Sequence, residues 1–293
     1  MSGFIHKAGL AKQGMFGLEL LAQSQEYLPF FFGLVVAGAV AGFLAGLFGI
    51  GGGAVLVPVF YQMLSLLAVD DAVRTHVCVG TSLAIIVPTS LRSYMAHLKR
   101  GAVDRELVRS FAWSVPTGVI CAAVIAAWIS GESLRIIFAA VAVIVAFKLL
   151  FGRDRWKLGT SIPQNPLRFA VGFVIGLLSA LIGIGGGIFN NSFMTLYGRP
   201  MLQAVATSAG VGVLIAVPGF FGYVWAGWGA QGLPPFSLGF VNLPMVGVVI
   251  PMTLLVAPFG VAAAHSLQKR QLEIGFGLFM LFVAIRFAWS IFG

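Results

Sequence analysis

Charged residues are scarce in this chain, and their scarcity excludes a soluble globular protein. Asp, Glu, Lys and Arg make up only 9% of the 293 residues, whereas 59% are hydrophobic. Soluble domains carry about 25% charged residues, which cover a surface that faces water. The mean hydropathy of +0.99 supports the same conclusion. We therefore predict an integral membrane protein whose principal partner is the lipid bilayer.

Cysteines and acidic residues are also few, and this excludes several kinds of site. The two cysteines, Cys78 and Cys121, stand in apolar stretches and lack the spacing of a metal site or a disulfide framework. All nine acidic residues fall in predicted loops or in the N-terminal segment, whereas cation carriers use a buried carboxylate. No HExxH motif, P-loop lysine or visible Ser-His-Asp set is present. We expect no enzyme activity, no metal ion and no cofactor.

The basic residues are arranged in short clusters between apolar stretches. They give the chain a net charge of +9, but they form no basic soluble face that could bind nucleic acid. Loops on the cytoplasmic side of a membrane protein have this composition. We therefore expect no nucleic-acid partner.

Glycine, in contrast, is abundant and follows a repeated pattern. The sequence Gly-Ile-Gly-Gly-Gly occurs at 49–53 and again at 183–187, each time after an apolar stretch. Further matched pairs are Gly38 and Gly42 with Gly172 and Gly176, Thr81-Ser82 with Thr207-Ser208, and Gly101 and Val103 with Gly239 and Val241. The chain is therefore predicted to contain two homologous halves.

The apolar segments predict an all-α polytopic membrane protein with about eight to ten transmembrane helices. Residues 1–28 form an N-terminal segment that would suit a helix lying on the membrane. Residues 29–151 form the first transmembrane repeat, 152–167 a cytoplasmic linker, and 168–293 the second repeat. The segment after each glycine run is short, which predicts broken or re-entrant helices at these runs.

The basic loop charge changes sides between the two halves. Four basic residues lie in the 97–109 loop, whereas the matching 226–242 loop has none. Conversely, the 130–135 loop has one basic residue and its counterpart at 265–273 has two. The positive-inside rule then predicts inverted repeats with both termini outside, although Arg286 near the outer end of the last helix opposes this topology.

The glycine runs are the first candidates for a binding site. Gly51, Gly52 and Gly53, and likewise Gly185, Gly186 and Gly187, would let the backbone approach a ligand closely. A helix that restarts after each run would direct its N-terminus, with unpaired N–H groups, toward a small anion. The alternative is that these glycines only allow helices to cross tightly. We expect that role for the glycines spaced four residues apart, Gly38 with Gly42 and Gly172 with Gly176, which we call the spaced glycines.

Polar side chains in the apolar segments extend this candidate site. The substrate-binding candidates are Thr81, Ser82, Thr207, Ser208, Asn190 and Asn191. The hydroxyls could instead bond to their own helices. The two amides replace Leu56 and Val57 of the first half, and they either set substrate specificity or tie two helices together.

His76 and Arg92 are candidates for gating or proton relay. An imidazole titrates near neutral pH, and an arginine could attract an anion toward the cytoplasmic mouth. The alternatives are a solvated histidine at a helix end and an arginine that extends to the membrane interface.

Five stretches resemble the TauE/SafE sulfite exporter family. They are GLFGIGGGAVLVP at 46–58, GTSLAIIVPTS at 80–90, KRGAVD at 99–104, GIGGGIFNNS at 183–192 and YGRPMLQAVATS at 197–208. The resemblance covers nearly the whole chain beyond residue 28. It implies a secondary transporter that moves sulfite, organosulfonates or related small sulfur-containing anions across the bacterial cytoplasmic membrane. The alternatives are a passive anion channel and a membrane subunit or enzyme without transport activity.

Overall fold

The computed structural model describes residues 31–44, 53–152, 158–159, 161–266 and 269–292. The helices in these residues are α1 (Phe31–Leu44), α2 (Gly53–Leu66), α3 (Asp71–Lys99), α4 (Arg105–Trp128), α5 (Gly131–Phe151), α6 (Leu167–Leu181), α7 (Gly187–Leu196), α8 (Met201–Ala226), α9 (Leu243–Ser266) and α10 (Lys269–Phe292). Two short strands, β1 (Ser237–Leu238) and β2 (Val241–Asn242), form an antiparallel hairpin before α9. The predicted N-terminal helix, Gly51 and Gly52 lie outside the described residues.

Five helices of the described chain are long and apolar enough to cross a membrane, namely α3, α4, α5, α8 and the part of α9 over Leu243–Gly260. Helix α3 is the most enclosed of them, since 72% of its most apolar stretch is buried, compared with 39% for α5. Apolar side chains such as Trp113, Trp128 and Phe221 point away from the protein, as expected for contact with lipid. The structure confirms an all-α polytopic membrane protein.

The helices beside the glycine runs are too short to span the bilayer. Helix α7 has 10 residues, which extend about 15 Å, whereas the hydrocarbon core is about 30 Å thick. Helix α6 ends at Leu181 and α7 begins at Gly187, so the predicted break at the second glycine run is confirmed. Because backbone groups at such a break need partners, the α6–α7 hairpin must turn inside the protein.

Side-chain caps define the first turns of the long helices. Asp104 Oδ1 accepts a hydrogen bond from Leu107 N at 3.0 Å at the start of α4. Asn242, the matching residue of the second half, accepts one from Met245 N at 3.2 Å at the start of α9. Each cap satisfies a backbone donor that would otherwise be unpaired.

Among the described residues, several acidic side chains lie in helices and not in loops. Asp71, Glu106 and Glu132 belong to the first turns of α3, α4 and α5, where a negative charge interacts favourably with the helix dipole. The prediction that all carboxylates lie in loops is wrong for these residues and for Glu273, which lies within α10.

The spaced glycines bring each short helix against a long helix of the other half. A β-carbon on Gly42 of α1 would lie 2.7 Å from Thr253 Cα of α9. A β-carbon on Gly176 of α6 would lie 2.2 Å from the carbonyl oxygen of Val115 in α4. Only glycine allows these backbones to approach so closely, which confirms that the spaced glycines serve tight helix crossings.

Candidate functional site

Gly53, the one described residue of the first glycine run, meets the second run in the protein interior. A β-carbon on Gly53, the first residue of α2, would lie 2.2 Å from the carbonyl oxygen of Gly183 and 3.0 Å from Ile184 Cα. We call this contact, formed by Gly53 and residues 183–187, the glycine crossing. No side chain can be accommodated at Gly53, so this residue contributes bare backbone to the crossing.

The second run forms a tight turn that only glycine adopts without strain. Gly183 has φ +68° and Gly186 has φ +73°, a left-handed conformation that is unfavourable for other residues. Gly186 is the N-terminal cap of α7. The first N–H groups of α7 have no partner within the helix, and they point toward this turn.

Ser179, which was not among the residues predicted from the sequence, adds a hydroxyl group beside the turn. Its Oγ is buried without a hydrogen-bond partner, and it lies 3.6 Å from where a β-carbon on Gly186 would stand. The matching residue of the first half is Ala45. A comparison of the two halves at this position could have identified Ser179, as it identified Asn190 and Asn191.

The two paired serines both contact the α6–α7 hairpin. Ser82 Oγ donates to the carbonyl oxygen of Gly183 at 2.9 Å. Ser208 Oγ donates to Asn191 Oδ1 at 2.6 Å and accepts from Asn190 Nδ2 at 2.7 Å. The amides therefore tie α7 to α8, while Asn190 Oδ1 remains buried without a partner. Their role in substrate binding stays a prediction.

The paired threonines bind backbone groups of the opposite half. Thr81 Oγ1 accepts from Asn242 N at 3.0 Å, and Thr207 Oγ1 accepts from Asp104 N at 2.9 Å. Both hydroxyls thus support the residue that precedes a long helix, α9 or α4. They do not bond to the glycine crossing in this structure, so their predicted role as substrate donors has no further support.

The two candidates for gating lie away from the glycine crossing. His76 is only 3% exposed, and its ring stacks against Phe240 of the β1–β2 hairpin at 4.7 Å between centroids. The alternative of a solvated histidine is therefore wrong, and both ring nitrogens are buried without partners. Arg92 is exposed on α3, about 9 Å along the helix from Ile86, whose side chain lies beside Gly53.

The electrostatic surroundings of the crossing suit an anion. The acidic residues of the described segments lie at helix ends or within α10, so no described carboxylate repels a negative charge at the glycine crossing. The described residues also contain no group of three His, Cys, Asp or Glu side chains that could hold a metal ion. The crossing can offer backbone N–H groups and hydroxyls to a small oxyanion.

Comparison with known proteins identifies the family of the chain. A family model described as sulfite exporter TauE/SafE matches residues 34–287. A probable membrane transporter protein of Haemophilus influenzae is 34% identical over 252 residues, which are 86% of this chain and 95% of the relative.

Two more distant relatives carry the same description. A probable membrane transporter protein of Methanocaldococcus jannaschii is 25% identical over 264 residues, which are 85% of this chain and 94% of the relative. A probable membrane transporter protein of Bacillus subtilis is 28% identical over 213 residues, which are 66% of this chain and 78% of the relative. No solved structure matches the chain. The chain is therefore a multi-pass membrane transporter and belongs to the TauE/SafE sulfite exporter family.

Proposed function

We propose that the protein is a secondary transporter of a small sulfur-containing oxyanion, such as sulfite or an organosulfonate, in the cytoplasmic membrane of a bacterium. The observation that carries this proposal is the glycine crossing. Gly53 of the first glycine run meets the break between α6 and α7 in the interior, and this break presents the N-terminus of α7. The family description supports the substrate class.

The chemistry of the crossing favours a small anion over a cation. The N-terminus of a helix carries a partial positive charge and free N–H donors. Ser179 Oγ, buried and without a partner, is a further donor beside the same turn. A sulfite or sulfonate group has oxygens that accept several such bonds, whereas a cation would need carboxylates or carbonyl ligands.

The packing of the crossing favours a transporter over an open channel. Gly53 lies in backbone contact with Gly183, and the side chain of Ile215 closes against Gly186. A channel would need a continuous polar lining. The anion can therefore pass only if the α6–α7 hairpin and its counterpart move relative to α3 and α8.

Inverted repeats are part of the proposal, and exchanged contacts between the halves support them. The start of α4 is bonded to Thr207 in the second turn of α8, and α4 follows directly after α3. The C-terminal end of α3 thus lies beside the N-terminal part of α8. Since α3 and α8 match in sequence, their opposite directions are what two inverted repeats require.

Cysteine labelling in intact cells tests this topology. Cysteines introduced at Ala102 and Ala230, in the loops before α4 and α9, should react from opposite sides, because inverted repeats place equivalent loops across the membrane from each other. We expect a membrane-impermeant maleimide to label only Ala230→Cys. Both introduced cysteines are placed in a protein that carries Cys78→Ser and Cys121→Ser, so that the native cysteines cannot react. Labelling of both positions from one side would contradict inverted repeats.

Transport itself is measured by reconstitution into liposomes. Purified protein should give saturable uptake of at least one anion from a panel of sulfite, thiosulfate and organosulfonates, with and without a pH gradient. Saturation is expected because each cycle loads one closed site. Uptake that rises linearly with concentration would indicate a channel. No uptake above that of empty liposomes for any member of the panel would contradict the proposed substrate class.

A further inference from the structure

Three arginines from separate elements converge on one cavity at the opposite end of the molecule from the 97–109 loop. Arg74 lies in the first turn of α3, Arg135 near the start of α5 and Arg286 near the end of α10. With Tyr61, Gln62 and Asp71 they line a cavity of about 250 Å³. We call it the arginine cavity. The proposed function does not use it.

Arg135 is the least compensated charge in the arginine cavity. The residue is only 8% exposed, and its Nε is buried without a hydrogen-bond partner. One of its terminal nitrogens donates to the Tyr61 hydroxyl, and the same nitrogen lies 3.8 Å from Asp71 Oδ1. A buried guanidinium normally requires a close, well-oriented anion. Arg135 therefore lacks a full partner.

Asp71 compensates Arg135 only in part, because it also pairs with other groups. Arg74 Nη1 lies 2.6 Å from Asp71 Oδ1, and the Tyr61 hydroxyl donates to the same oxygen at 3.3 Å. The Asp71 side chain is also 61% exposed, which weakens its field at Arg135. One carboxylate thus faces three guanidinium groups, and the cavity keeps a net positive charge.

The cavity is open toward the surface on the side of the third arginine, Arg286. Arg286 is exposed, and its Nη2 donates to Gln62 Oε1 at 3.0 Å, which leaves other donors of the fork available. Trp289 stands beside it on α10 and is 72% exposed. Tryptophan at such a position commonly marks the level of the lipid headgroups. The arginine cavity therefore opens at the membrane–water boundary.

We propose that the arginine cavity is a second oxyanion site, separate from the glycine crossing. Its ligand is a group with several negatively charged oxygens, which the guanidinium forks of Arg135 and Arg286 bind with charge-assisted hydrogen bonds. Such a group belongs either to a free inorganic oxyanion or to the phosphate of an anionic lipid. On the predicted topology the site faces outward, and it explains why Arg286 departs from the positive-inside pattern.

Binding to purified full-length protein tests the proposal. One arm measures radiolabelled sulfate binding in lipid-free neutral detergent. The other measures retention of phosphatidylglycerol by native mass spectrometry. Arg286→Gln and Arg135→Lys should each weaken one of these interactions by about tenfold or more, because each removes part of a bidentate contact. Arg109→Gln, an exposed arginine of α4 at the other end of the molecule, is the matched control.

Sulfate binding and lipid retention together distinguish the two ligand sources. Loss of sulfate affinity identifies a free oxyanion, and loss of lipid retention alone identifies a headgroup phosphate. If both variants bind sulfate and lipid as the unaltered protein does, the cluster is purely structural and the proposal is wrong. Arg286→Gln changes an exposed residue, so it remains informative if Arg135→Lys lowers the melting temperature. The assay involves no transport, so a failure of the proposed transport activity would leave its result unaffected.

Discussion

Helices α2 and α7 occupy matching positions after the two glycine runs, but they differ in chemistry. The first residues of α2 are buried and apolar, with Leu56 and Val57 fully enclosed and Pro58 following. At the equivalent positions α7 carries Asn190 and Asn191, which bond to Ser208. Both helices meet the same crossing, yet only α7 carries polar side chains at these positions.

This difference separates the polar groups that both halves share from those of the second half. The threonines that the two halves share, Thr81 and Thr207, make equivalent bonds to helix starts, and their role in substrate binding stays a prediction. Ser179, Asn190 and Asn191 are polar where the first half has Ala45, Leu56 and Val57, and Ser179 lies beside the turn before α7. Because the glycine run itself occurs in both halves, we predict that these side chains of the second half set substrate specificity. The alternative is that the two amides only tie α7 to α8.

Gly186→Val should abolish the glycine crossing and give the largest effect. The left-handed conformation costs a non-glycine residue about 1–2 kcal/mol, and the contact with Ile215 adds about 1–3 kcal/mol through overpacking. We expect a clearly lower melting temperature of the detergent-solubilised protein and loss of anion uptake in liposomes. The variant removes the feature that the two halves share.

Gly247→Val is the control for this change. Gly247 lies in α9, and a β-carbon there would meet no atom within 4 Å. The melting temperature should therefore stay close to that of the unaltered protein. Equal behaviour of the two variants would show that the turn before α7 has no special conformational requirement.

Asn191→Leu should have a smaller and more selective effect, because it makes α7 resemble α2. Ser208 would lose its acceptor but keep the hydrogen bond from Asn190. We expect sulfite affinity of the purified protein to fall by about ten- to a hundredfold through loss of a donor at the site, with little change in melting temperature.

Thr195→Val provides the comparison on the same helix. The Thr195 hydroxyl bonds only to carbonyl oxygens of α7, those of Asn191 and Ser192, so sulfite affinity should not change. If Asn191→Leu instead lowers the melting temperature and leaves the affinity intact, Asn191 serves only to tie α7 to α8.

Local rules predicted the helices and their breaks, because these depend on residues close in sequence. The break at Gly183–Gly187 follows from the conformational freedom of glycine, and the apolar stretches predict the long helices. The predicted meeting of the two glycine runs also agrees with the contact between Gly53 and Gly183.

Contacts between distant segments could not be predicted in the same way. His76 is buried because Phe240, from the 226–242 loop, covers it. The arginine cavity is assembled from Arg74, Arg135 and Arg286, which lie in three helices far apart in sequence. Each of these arginines alone resembles an ordinary residue at a membrane interface.

The exchanged threonine bonds have a consequence for how the protein is made. The Asp104 amide can form its hydrogen bond only after Thr207, which is 103 residues further along the chain, has been synthesised. In the same way, Thr81 can accept its hydrogen bond only after Asn242, which is 161 residues further along, has been synthesised. The first half therefore leaves the ribosome with an unfinished helix start, and it becomes complete only when the second half inserts.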